Sequence, residues 1–205
     1  MNLQRLPDGS VRISALDDWH LEALRHIPSL ADPGDDEKAL RRVYPAPYSA
    51  GEATREQLED WAEYVQPELE TLFESSIHRV AADLQTAHLS APPPEPLAEA
   101  PPPPDAGDAA EKPARKQRKP QPDAPPEWSI SIPAEHIEDW FRTMNQARLV
   151  MAASKGAHRR DNDHVAAMLL NGEVELLIQY ELLTGLCDWW VGALLRHGNA
   201  DLGIP

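Results

Sequence analysis

The sequence predicts a mainly helical domain with a minor β component, a helical bundle carrying a small antiparallel sheet. Three observations predict it. Apolar residues recur at steps of three and four through much of residues 1–90 and 127–205. Two short stretches, near residues 2–14 and at 127–132, instead alternate apolar and polar side chains at the period of a strand. Between the flanks, residues 91–126 hold thirteen of the 21 prolines and no aromatic or β-branched residue, so they cannot build a core of their own. Removing this 36-residue Pro/Ala-rich stretch leaves 169 residues. That suffices for one well-buried core, whereas each flank alone is near the size at which burial becomes marginal. The expectation is one discontinuous domain, 1–90 with 127–205, interrupted by a disordered insertion at 91–126.

The elements follow in order. Leu3 and Arg5, then Pro7-Asp8-Gly9, then Val11 and Ile13 form a hairpin pattern, with Asp-Gly supplying a turn that tolerates positive φ. Ser14 is placed to cap a helix over 16–26, with Asp17 and Asp18 in its first turn and Leu16, Trp19, Leu24 and Ile27 offered to the core; Pro28 stops it. A short helix over 36–43 ends before Pro45 and Pro47. The clearest stripe runs through Leu58, Trp61, Val65, Leu69, Leu72, Ile77, Val80 and Leu84, and it stays in phase across Pro67, which predicts a kinked continuous rod. Beyond the insertion, Trp128, Ile130 and Ile132 alternate with serines as a strand that needs a partner. The hairpin is the partner predicted, giving three strands. Pro133 then suits the start of a helix to about 154, Asp161 or Asp163 caps a short helix ended by Gly172, and a final helix covers 173–196.

Charge limits the function. The net formal charge is −15, with 17 acids against 8 bases in residues 1–90 and 11 against 6 in 127–205. Such a surface repels phosphate backbones, so nucleic acid and anionic membranes are disfavoured partners. The first residues show no basic segment followed by an apolar run, which makes the cytoplasm the expected location. Val174 through Leu195 is long enough to span a bilayer, but Asp188 near its middle would cost about 2.5 to 3.5 kcal/mol, and a buried core helix is expected instead. Cys187 is the only cysteine, which excludes an intrachain disulfide and a multi-cysteine zinc site.

Candidate chemistry is sparse. His158, Asp161, Asp163 and His164 form the densest set of ligand types, yet their spacing matches no zinc pattern and the acids suit helix caps. There is no His-Glu-x-x-His pair, no phosphate loop and no Gly-x-Ser-x-Gly elbow. No catalytic residue, cofactor or metal is expected. Arg148 stands out, because the stripe Ile137, Trp140, Phe141, Met144, Met151 brings it near an apolar face. An ion pair or a carbonyl-capping role inside the bundle is expected, with Asp188 and Asp60 as partners and Asn145 as a further buried polar residue; binding an anion is the alternative. The one basic cluster, Lys112, Arg115, Lys116, Arg118 and Lys119, lies in the insertion, where it either keeps the segment solvated or meets an acidic partner.

Four segments carry a family resemblance: WFRTMNQARLVM (140–151), ALRRVYPAPY (39–48), DWAEYVQPELETLF (60–73) and YELLTGLCDWWVGALL (180–195). Together they resemble a bacterial domain-of-unknown-function family of small, largely helical proteins, in some genomes encoded beside the gene for the ClpS proteolytic adaptor. The resemblance spans both flanks and omits the insertion. Asn145 and Arg148 match its Asn-x-x-Arg-Leu motif. Arg42 and Pro45 match its Arg-Leu-aromatic-Pro motif, with Val43 in place of Leu. Where compact members continue with a glycine and an acidic loop, this chain has Ala153, Ser154, Lys155, Gly156 and the basic run His158-Arg159-Arg160. The family carries no established activity; its gene neighbourhood implies a link to regulated proteolysis. The expected function is a non-enzymatic protein-interaction or regulatory module with a protein partner. A helical transcription-associated regulator is the alternative, and an enzyme with an unrecognised site the second.

Overall fold

The computed structural model describes residues 1–46, 54–90, 127–159 and 161–201. The insertion at 91–126, with its basic cluster, lies outside the described residues. Mainly helical architecture with a minor antiparallel sheet is what the chain adopts.

Strands β1 (Asn2–Arg5) and β2 (Val11–Leu16) form the hairpin, with Gly9 at φ 85° in its turn. Strand β4 (Glu127–Ile132) pairs antiparallel with β2, setting Val11 opposite Ile132 and Ile13 opposite Ile130. The sheet has four strands, one more than expected. β3 (His88–Ser90) adds to the far side of β4 and gives the order β1-β2-β4-β3. The hidden strand has only three residues, too short to show an alternation. The register of β2 slips between Ile13 and Leu16, where Ala15 takes φ 54°. This bulge turns Leu16 into the core, so Leu16 ends a strand instead of opening a helix.

Helix α1 (Asp18–Arg25) accordingly starts later than expected, capped by Asp17, whose carboxylate accepts from the His20 N–H. Leu24 and Ile27 are fully buried, but Trp19 is 40 % exposed. Pro28 does not close the segment. It sits in the first turn of α2 (Ile27–Ala31), where a missing N–H costs nothing. Helix α3 (Glu37–Val43) is capped by Asp36. The rod comprises α4 (Arg55–Asp60), a π-helical turn (Trp61–Val65) and α5 (Gln66–Gln85). After a 3-10 turn (Ala134–His136) come α6 (Ile137–Lys155), ended by Gly156 at φ 66°, then α7 (Asn162–Leu170), capped by Asp161, and α8 (Val174–Asp201).

Helix α6 is the centre of the bundle and packs against α2, α3, α5 and α8. One core cluster draws Val11, Ile13, Leu24 and Val80 from before the insertion and Ile130, Trp140, Met144 and Trp190 from after it. The Trp140 and Trp190 rings stack at 6.3 Å, and Trp190 donates to the Ile137 carbonyl. Among the described residues no helix is long and apolar enough to cross a membrane.

Candidate functional site

Two polar clusters join α5 to α6. Asp139, 4 % exposed, accepts from Ser76 Oγ at 2.8 Å, from Arg79 at 2.8 Å and from Arg142 at 2.9 Å. Burial raises its pKa, but the hydrogen bonds from Arg79 and Ser76 and the charges of Arg79 and Arg142 outweigh that, and the carboxyl is held below the usual range. One turn away, Asp83 accepts from Trp140 Nε1 at 2.8 Å and faces His136 Nδ1 at 3.0 Å. These clusters saturate their acids with donors, which suits them to holding two helices in register. Sequence reasoning missed them. Their one signal is that Asp83 and Asp139 stand next to the buried Leu84 and Trp140.

Arg148 lies elsewhere on α6. It donates to Asn145 Oδ1 at 2.9 Å, so the two predicted residues do meet, one turn apart, although both are half-buried and not buried as expected. Its expected carboxylate partners do not join them. Asp60 is exposed on the projecting rod, and Asp188 is exposed on the outer face of α8. Burial of those two acids is therefore corrected: one helix leaves the core where Asp60 sits, and the other turns Asp188 outward while burying its neighbour Cys187. Burial pushes the Cys187 thiol upward, opposed by the charge of Arg148 and reinforced by that of Asp188.

What surrounds Arg148 is a cleft of about 490 Å³ whose polar lining is Arg42, Arg148, His158 and Tyr180. Helix α3 delivers Arg42 from its last turn, α6 delivers Arg148, the turn after α6 delivers His158 and α8 delivers Tyr180. Among the described residues, no acid lines this cleft. A larger one of about 680 Å³ has the opposite character: Asp32, Glu70 and Glu74 line it with Tyr44 and His78. There burial first, and then the charges of Glu70, Glu74 and Asp32, push the Tyr44 hydroxyl upward. In the run from His158 to His164, Asp161 accepts from the His164 N–H at 2.9 Å as the cap of α7.

The rod is the third feature. Leu58, Val65 and Leu72, seven residues apart, are 42, 43 and 42 % exposed, and Tyr64 is 61 % exposed. None of residues 55–65 is buried. Leu169, Leu170 and Ile178 are exposed as well, but they flank the α7–α8 turn without forming a seam along one helix.

Helices gathered around α6, a small antiparallel sheet, a cleft lined by two arginines and a helical rod with an exposed apolar seam define the class: a mainly helical protein with a minor antiparallel sheet. The chain belongs to the family described as Domain of unknown function (DUF2017), whose model matches residues 5–194. No curated protein and no solved structure matches it.

Proposed function

We propose that the protein is a non-enzymatic interaction module and that the free half of the rod is its docking element. The observation that carries this reading is the heptad-spaced set Leu58, Val65 and Leu72, left exposed on a helix whose first eleven residues bury nothing. Apolar residues at this spacing on an unpacked helix suit insertion into a groove or a second helix. Charge states the partner's chemistry. Residues 54–74 carry seven acids and one base, Arg55, so the complementary surface is an apolar groove rimmed by Lys and Arg. A second copy offering the same face would set acids against acids. In its finer form the proposal places the partner in the regulated-proteolysis machinery of the cytoplasm. Its support there is the gene neighbourhood of the resembled family.

The test is a Leu58→Gln/Val65→Gln variant. The full chain, with and without residues 91–126, is used to capture partners from the native host, and the best is purified. The double variant is expected to bind that protein at least about tenfold more weakly, with an unchanged melting temperature, since central apolar anchors are worth 2 kcal/mol or more. Equal binding by the variant, no specific partner, or a dimer of this chain broken by the same pair would overturn the proposal.

A further inference from the structure

We infer that the cleft between α3, α6 and α8 is a binding site for a small oxyanion, a carboxylate or phosphate group gripped by Arg42 and Arg148. Two guanidinium groups from distant parts of the chain share one cleft of about 490 Å³, in a protein whose acids outnumber its bases 34 to 19. In such a protein an arginine pair is expected to find carboxylates. Among the described residues, neither Arg42 nor Arg148 has one within ion-pair distance, although five other arginines do. Among the described residues, the side chain that Arg148 donates to is Asn145, whose neutral amide orients the guanidinium without cancelling its charge. Its Nε is buried and makes no hydrogen bond.

Arg42 and Arg148 border the cleft beside an apolar wall of Leu149 and Ala152, and an anion bound there would supply the counter-charge that both guanidinium groups lack. Guanidinium forks match the planar carboxylate and the tetrahedral phosphate bidentately. His158, exposed in the turn after α6, brings an imidazole to the lining of the cleft. The volume admits a small organic anion and excludes a folded chain. The site is independent of the docking rod.

Titration of the full chain with inorganic phosphate and, separately, with citrate at constant ionic strength, followed by melting temperature and by calorimetry, tests this. A saturable response to phosphate alone, citrate alone or both supports the site and names its preferred group. Arg42→Gln, on an exposed side chain, is expected to weaken that binding at least about tenfold without lowering the ligand-free melting temperature. Arg148→Lys, which keeps the charge but loses the fork, is expected to weaken it as well. No saturable response to either anion, or binding by Arg42→Gln equal to that of the unaltered chain, would overturn the inference.

Discussion

Asp139 is a carboxylate almost wholly out of water, held by one hydroxyl and two guanidinium groups. Asp139→Asn keeps one acceptor oxygen for Ser76 and Arg142 but removes the charge and sets an amide NH2 against Arg79, and it is expected to cost about 2 to 3 kcal/mol at neutral pH in urea unfolding. Because the folded protein lowers this pKa below the unfolded 3.8, the contribution is complete above the ordinary aspartate range and is lost as pH falls through the lower folded value. The stability gap between the two proteins is therefore expected to stay constant from about pH 7 to 5 and to shrink below about pH 4. A gap that widened on acidification would show that the network does not hold an ionised carboxylate. Ala15 poses the reverse problem. A left-handed φ of 54° costs an alanine about 1 kcal/mol, so Ala15→Gly is expected to raise the urea midpoint by roughly that free energy. An unchanged midpoint would remove the strain from the bulge.

Along the rod, one apolar stripe serves two purposes. Its C-terminal half is core: Val80 and Leu84 are 0 and 3 % exposed, beneath α6. Its N-terminal half stands free. Leu84→Ala is expected to cost about 3 kcal/mol, and Leu58→Ala to stay within about 0.5 kcal/mol, both by urea unfolding. Comparable costs would mean that the free half packs on the body. Pro67 explains how the rod stays continuous. Proline offers no N–H to the turn before it and its ring crowds a carbonyl there; the π turn relieves both, with the Gln66 N–H reaching back to the Trp61 carbonyl. The stripe across Pro67 was legible because continuity depends on period. Which half is buried was not, because exposed and buried seams have the same spacing.

At the scale of the whole molecule, Ser90 and Glu127 are register partners in adjacent antiparallel strands, so the insertion leaves and re-enters the sheet at one point. In the chain it connects the paired ends of β3 and β4. Replacing residues 91–126 by a four-residue turn is expected to preserve the circular dichroism spectrum and to stabilise the fold by about 2 kcal/mol, since closure entropy grows with the logarithm of loop length. Unfolding of the shortened chain would contradict this. The core that spans the insertion leads to a second expectation: residues 1–90 and 127–205, expressed separately, do not unfold cooperatively, and they regain the spectrum when mixed. Cooperative unfolding of either part alone would make it a domain in its own right.

By itself the sequence determined the mainly helical class, the hairpin, the strand after the insertion and most of the helices, with Asp161 as one cap, while it set the cap of α1 at Ser14 instead of Asp17. Each depends on periods, prolines and capping residues separated by a few positions. Tertiary structure alone decided which charges are buried and which meet. Asp139 carried no reading in the sequence, and Asp60 was expected to be a buried partner; packing against α5 buries the first, and the second lies exposed on the rod. Arg148 stood out in sequence, but Arg42 reaches its cleft from a different helix more than a hundred residues earlier. Local pattern records the face a residue occupies on its own element. Only the packing of elements, set by contacts remote in the chain, determines what that face meets.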